Sequence, residues 1–321
     1  MEAIENLKNI IEEKLSSHFK NQEIVLLDAP YYENVGDILI YEGELSFLKN
    51  NNAKIHQVSS YNTFAFDTKL DEQIIIAING GGNYGDLYSE HISFLKKIAK
   101  TYPNNKIIVF PQTIFYKNID IAISDFLELK KHPNIIICAR DKKGLELLNK
   151  HYIKEKSLLL PDMAFCIDME CFDLSNLISK NNILYIQRKD VEKVKDFHID
   201  DHGCVISDWP SFQYSIRAES FIAKVLNNLY DKISLKVVRH LLNVIWDKYF
   251  NIHRKLMIKE GLAFIQPFKI IHTTRLHGAI LAILLGKEVH IYNNSYGKNW
   301  EFYNSWLTNI PNVFWENDLK K

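Results

Sequence analysis

"IIHTTRLHGAILAILLG", residues 270–286, contains a complete strand-to-helix unit. An apolar β-branched lead-in breaks at Thr273–Thr274, and an apolar helical run begins almost at once. Open α/β sheets bind ligands at such junctions, where the carboxyl end of a strand feeds a helix N-terminus. With Thr274 as the cap, the free N–H groups of the first turn and the positive end of the helix dipole form an anion site. Arg275 adds a planar fork that suits carboxylate or phosphate. His277, two residues on, adds a group able to move a proton near neutral pH. The plainer alternative pairs Arg275 with a surface acid and packs His277 in the helix.

The same alternation runs outward in both directions. "EIVLLD" from residue 23, "KIHQVS" from 54, "QIIIAING" from 73, "KIIVFPQT" from 106, "NIIICAR" from 134 and "SLLLPD" from 157 each give way to a helical-period segment. That pattern predicts a parallel sheet flanked by helices. A second series follows the polar stretch "SKNN" at 179–182, with "ILYIQRKD", "CVISDW", "FKIIHTT" and "EVHIYNN". Two α/β domains are expected, 1–178 and 179–321, each of ordinary size for a chain of 321 residues with 47% hydrophobic content.

Charge and cysteine content narrow the function. Lysine plus arginine balance aspartate plus glutamate at 39 each, so no overall field draws the protein to nucleic acid, and anion recognition must be local. The four cysteines, Cys138, Cys166, Cys171 and Cys204, form no C-x-x-C pair, and "MEAIENLKNIIEEKL" is a charged amphipathic helix pattern without an apolar signal core. A cytoplasmic protein with reduced thiols is expected. Basic and aromatic residues between 236 and 258, in a long helical block after residue 215, suit either a face on the membrane surface or ordinary helices covering a sheet.

Two further loops carry polar chemistry. In "YYENVGDILIYEGELSFL", Asn34, Gly36 and Asp37 form a turn, with Asp37 expected to cap the helix that follows. In "IIIAINGGGNYGDLY", Gly80, Gly81 and Gly82 leave a buried strand, followed by Asn83, Gly85 and Asp86. Adjacent glycines let a ligand approach the main chain, although a tight structural crossing would also select them. The pattern is neither G-x-G-x-x-G nor a P-loop, which argues against nicotinamide cofactors and nucleoside triphosphates. Arg188, ending "ILYIQR", and Lys298, following "EVHIYNN" through "SYGK", reach the same sheet end as Arg275, and three cations arriving from separate strands would grip a small anion.

Other clusters read as structural. "HIDDH" spaces His198 and His202 around Asp200 and Asp201, but the Gly203 that follows marks an exposed loop, and no metal site is expected. Cys166 and Cys171 lack a second pair and read as buried thiols. Trp209, Tyr296, Trp300 and Trp306 suit either sugar stacking or core filling.

Taken together, "NVGD", "INGGGNYGD", "FPQT", "ARD", "LLPDMAF", "QR", "TTRLHG" and "YNNSYGK" resemble, in order and over nearly the whole chain, the polysaccharide pyruvyl transferase family. The resemblance implies two Rossmann-like domains facing a cleft, similar to two-domain glycosyltransferases, with the tail returning to the first domain. It implies phosphoenolpyruvate as donor substrate, no cofactor, and a sugar of a cell-surface polysaccharide or its lipid-linked precursor as acceptor. The second domain would hold the donor and the first the acceptor. The family's basic and proton-transfer residues fall on Arg275 and His277, its lysine after the last strand on Lys298, and its arginine closing the first strand of the second domain on Arg188. The chain departs from the pattern at Gly144, in "ARDKKGLELL", where many members have serine, and at "FPQT", where others have a Gly-Gln-Ser type turn. The implied chemistry has His277 as acid, Arg275 and Lys298 as anion holders, and Asp37 or Asp86 as acceptor of a hydroxyl proton. The rival readings are a nucleotide-sugar glycosyltransferase and a catalytically silent carbohydrate-binding protein of the same fold.

Overall fold

A computed structural model describes residues 2–32, 34–172, 183–187, 204–209, 236–294 and 297–316, apart from the side chains of 236–243, 246 and 247. The expected boundary at 178/179, together with Arg188, the "HIDDH" cluster and Tyr296, lies outside the described residues. The chain is α/β, with two parallel sheets flanked by helices.

The first sheet runs in the order β2 (Lys54–Ser59), β1 (Glu23–Leu27), β3 (Ile75–Ile78), β5 (Ile107–Phe115), β6 (Ile135–Ala139), β7 (Ser157–Leu159). All of its pairings are parallel. β1, β3 and β5 are buried along nearly their whole length, as continuous Ile/Val/Leu runs require when helices cover both faces. One strand departs from the sequence expectation: Gly81–Gly85 forms β4, which pairs with β5 beyond the main path. The helices are α1 (Glu2–Phe19), α2 (Val35–Asn50), α3 (Ser89–Thr101), α4 (Ile119–Leu129) and α5 (Lys142–His151).

The second sheet runs β12 (Val313–Trp315), β11 (Glu288–Ile291), β10 (Ile270–Thr273), β8 (Ile183–Ile186), β9 (Val205–Ser207). It too is parallel. Its described helices are α6 (Lys236–Ile265), α7 (Leu276–Leu284) and the short α8 (Lys298–Phe302), which runs into a π-helical turn at Tyr303–Leu307. Among the described residues no helix is long and apolar enough to cross a membrane.

Both sheets contain a switch point. In the first, the chain leaves β1 for β2 on one side and returns to β3 on the other; in the second, β9 and β10 flank β8 in the same way. Loops at such a point diverge and leave a crevice. One continuous core joins the two halves, holding Leu26, Ile38 and Phe110 of the first together with Leu184, Ile271 and Val289 of the second. The joint therefore buries apolar surface, and the two crevices are held against each other.

Candidate active site

The loops from both switch points, with the ends of β6, β9 and β11, surround a small polar cavity of about 90 Å3. From the first half it is lined by Asn34, Asp37, Gly82, Asn83, Tyr88 and Arg140; from the second by Trp209, Arg275, Leu276, His277 and Lys298. The structure thus brings together most of the residues singled out in the sequence.

The α7 entry differs in detail from the sequence expectation. Thr274 is not the cap: the helix begins at Leu276 and Arg275 occupies the cap position with no side-chain cap bond. Thr273 organises the turn instead, its hydroxyl accepting from Arg275 N at 2.9 Å and donating to Arg275 O at 3.1 Å. Thr274 is buried and serves through its backbone, its N–H donating to Ile186 O and its carbonyl accepting from the Asn299 amide at 2.8 Å. The register slips by one because the buried Thr273 hydroxyl takes over the local turn hydrogen bonds.

Arg275 reaches the cavity with its fork engaged by Asp208, Nε donating to Oδ1 and Nη2 to Oδ2 at 2.7 Å. The bidentate pair fixes the guanidinium plane and neutralises part of its charge. His277 stands beside Gly36 of α2, and its Nε2 is buried, lies 3.4 Å from Asp162 Oδ2, and has no hydrogen-bond partner. The Asp162 carboxylate is thus the charged group that faces this buried nitrogen.

Asp162 and Arg140 are the residues that sequence reasoning missed. Arg140, at the end of β6, is 1% exposed, with Nε donating to Thr113 Oγ1 and Nη1 to Asp162 Oδ2, both at 2.7 Å. Asp162 is fully buried and also accepts from Ala164 N. Burial alone would push its carboxyl up, but His277 and Arg140 beside it, with the Ala164 amide, hold it down at about 2. It is therefore a carboxylate at neutral pH, placed between a cation and an imidazole. Both residues stand in segments quoted for the resemblance, "ARD" and "LLPDMAF". The available signal was a charged residue at a strand's carboxyl end.

The glycine run divides by role. Gly80 is structural: a Cβ there would stand 2.7 Å from Pro111 O, and its N–H donates to the buried Glu44 at 2.6 Å. Gly81 has φ 144, a conformation that L side chains rarely adopt. Gly82 faces the cavity, and a Cβ there would meet Arg140 Nη2 at 3.4 Å and Lys298 Nζ at 4.0 Å. The bare backbone thus leaves open a space flanked by cations from both halves. Lys298 opens α8, its N–H donating to Asn294 Oδ1 at 2.9 Å.

On the other wall the cap of α2 is Asn34, whose side chain accepts from Gly36 N at 2.9 Å; Asp37 does not cap. The helix starts three residues earlier than expected, at Val35 instead of Ile38, placing Asp37 in its first turn. There its carboxylate accepts from Asn34 Nδ2 at 2.7 Å and from the Tyr32 hydroxyl at 3.0 Å. Asn83 donates to that same hydroxyl at 3.3 Å. Asp86 is a correction: its carboxylate accepts from Lys117 N and Asn118 N, each at 2.9 Å, and it does not line the cavity. Those amides lead into α4, and an ionised carboxylate satisfies them better than water would.

The aromatic candidates separate in the same way. Trp209 lines the cavity, whereas Trp306 donates through Nε1 to Arg140 O at 2.7 Å and Trp300 packs against Tyr303 and Trp315. Ser305 Oγ accepts from Lys142 N at 3.1 Å. The segment after β11 thereby leans on the β6–α5 junction of the first half. Cys138 and Cys166 are pushed well up by burial, as inert thiols, while Cys171 is exposed. Among the described residues no group of His, Cys, Asp or Glu is arranged to hold a metal.

Comparisons with known proteins bear on the family and the fold. The family model described as "Polysaccharide pyruvyl transferase" matches residues 34–296. A Bacillus subtilis (strain 168) protein with the provisional name pyruvyl transferase EpsO is 32% identical over 297 residues, 92% of this chain and 88% of that protein. "Pyruvyl transferase 1" of Schizosaccharomyces pombe is 24% identical over 300 residues, 89% of this chain and 70% of that protein. A crystal structure of a functionally uncharacterised Klebsiella pneumoniae protein, KP1_0663, superposes with a TM-score of 0.64 at 23% identity, covering 97% of this chain and 99% of that one, and so shares the fold.

Proposed function

The chain belongs to the polysaccharide pyruvyl transferase family, and from that premise we propose that it moves the pyruvyl group of phosphoenolpyruvate onto two hydroxyls of one sugar, forming a cyclic ketal. The acceptor is a sugar of a cell-surface polysaccharide or of its lipid-linked precursor. The observation that carries this reading is the convergence of Arg140, Arg275 and Lys298 with His277 on one cavity of about 90 Å3. Phosphoenolpyruvate carries a phosphate and a carboxylate on three carbons, so it needs several cations in a small space.

The chemistry follows from the placement. Arg140 Nη2 and Lys298 Nζ, on either side of Gly82, hold the anionic groups, and the first-turn N–H groups of α7 add the dipole. His277 delivers a proton to the methylene carbon, the C=C electron pair takes it up, and oxocarbenium character develops at the carbon bearing the phosphate. A first sugar hydroxyl attacks that carbon. The C–O bond to phosphate then breaks with its electron pair, and a second hydroxyl closes the ring. Of the two hydroxyl protons, one restores His277 and the other leaves with inorganic phosphate. Asp37, in the cavity wall, is the group proposed to take that second hydroxyl proton and pass it to the departing phosphate; Asp86, tied to the α4 amides, is not. Asp162, 3.4 Å from Nε2, orients His277.

Thermal-shift titration separates donors directly, because a true ligand stabilises by mass action. Phosphoenolpyruvate is expected to raise the melting temperature while nucleotide sugars do not; the reverse result rejects the reading. His277→Ala is expected to lower phosphate release by roughly 10²- to 10⁴-fold.

A further inference from the structure

A second, larger feature lies away from the cavity, between α2 and α6. Val244, Ile245, Lys248, Ile252, Lys255 and Lys259 recur at helical spacing along one exposed stripe of α6. The aliphatic members are open to solvent: 41% for Val244, 43% for Ile245 and 62% for Ile252. The opposite side, with Phe250, Met257 and Ile258, is buried. Along the stripe runs a groove of about 670 Å3, with Leu45, Phe172 and Leu256 offering apolar surface and Lys49, Lys255 and Lys259 the cationic groups. Arg254, also in its wall, is paired with Glu42. Asp168 is the other acid in the lining.

We propose that this stripe and groove dock on an anionic lipid membrane. Branched aliphatics and lysines sharing one face of a helix are what an interfacial helix uses: the aliphatics enter the acyl boundary and the lysines meet the headgroups. Self-association through the stripe would bring lysines of two copies together, because a two-fold contact presents the same patch twice. Isolated anions would use the lysines but leave the exposed isoleucines unexplained. Helix α2 links the two features. Asp37 in its first turn lines the cavity, while Leu45 and Lys49 line the groove, about 12–18 Å further along the axis at 1.5 Å per residue. A membrane held there lies within a few sugar rings of the cavity. The proposal deepens the reading of a lipid-linked acceptor, and its readout needs no turnover.

The test is flotation of the full chain with vesicles of phosphatidylcholine alone and of phosphatidylcholine with phosphatidylglycerol. Binding is expected only to the anionic vesicles and is expected to fall on raising salt to 1 M. Lys255→Glu with Lys259→Glu is expected to weaken it by about thirtyfold or more, and Ile245→Ser with Ile252→Ser to weaken it at unchanged salt dependence. Phosphate release with a short water-soluble acceptor is expected to be unchanged in all four substitutions. Absence of flotation with anionic vesicles, equal flotation with neutral ones, or dimerisation in free solution that the Ile245 and Ile252 substitutions abolish, would overturn the proposal. Intact flotation by a chain that releases no phosphate would reject the pyruvyl-transfer reading alone.

Discussion

The imidazole of His277 rests against the Cα of Gly36, so that a methyl group added there would lie 2.9 Å from its Cγ and closer still to Nδ1. One residue belongs to the first half of the molecule and the other to the second. Gly36→Ala is expected to keep the fold, since it replaces glycine in the first turn of a helix, where alanine is the better former by roughly 1 kcal/mol. The ring must move instead. Misplacing a reacting group by about 1 Å costs on the order of 10²-fold in rate, so kcat should fall by about that factor, with a lower melting temperature because the packed ring is displaced. A variant with normal kcat would show that the ring position is irrelevant to turnover.

Asp162 lies between Arg140 and His277 and is sealed from solvent. Asp162→Asn keeps the shape and removes the charge. The carboxylate stands 3.4 Å from the buried Nε2 of His277 and holds the ring in place, so kcat should fall by on the order of 10²-fold as the ring loses its position. A purely structural aspartate would lower stability and leave kcat in place at temperatures where the variant is folded. Some loss of stability is expected as well, because Arg140 is left as a buried cation without its anion.

Much of this architecture is legible in the sequence, because parallel strands buried on both faces are continuous apolar runs and each is followed by a helical period. β4 is not, since GGNYG has no strand propensity and extends only where Gly85 can press against the Phe115 carbonyl. The caps at Asn34 and Arg275 fall away from their expected positions because Asn, Asp and Thr side chains compete locally for the same amides. Arg275, His277, Lys298, Asn34, Asp37, Gly82 and Asn83 are legible as cavity residues because each follows a strand. Arg140 is not, because burying a guanidinium depends on a carboxylate 22 positions further on. The same holds for Asp208, 67 positions from Arg275. Such pairings are set by tertiary contact alone.

Acid should destabilise the protein in two stages. His272 stacks between Tyr185 and His290, and burial with the His290 charge pushes its imidazole down to about 4. The unfolded chain then binds a proton that the native state refuses, so stability falls as pH drops from about 6.5 towards 4. Asp162 acts below that: held at about 2 when folded, it contributes stability that is full above the ordinary aspartate value near 4 and is lost between about 4 and 2. The second loss is ~2 kcal/mol from this group. Urea unfolding as a function of pH checks both, and His272→Phe should weaken the upper stage, to which His18 and His132 also contribute because burial lowers them too, and leave the lower stage in place.

Gly82→Ala separates binding from chemistry. The new methyl would meet Arg140 Nη2 at 3.4 Å and Lys298 Nζ at 4.0 Å, ordinary contact distances that leave the fold undisturbed. It would nevertheless occupy the space between the two cations where the donor's anionic group is proposed to sit. An interaction made equally in ground and transition states lowers KM without raising kcat, so its loss has the opposite signature. The KM for phosphoenolpyruvate should therefore rise about tenfold or more, for ~1.4 kcal/mol of lost binding, with kcat and melting temperature close to those of the parent. If KM is unchanged while kcat falls, Gly82 does not border the donor, and Arg140 and Lys298 hold a group that forms later in the reaction.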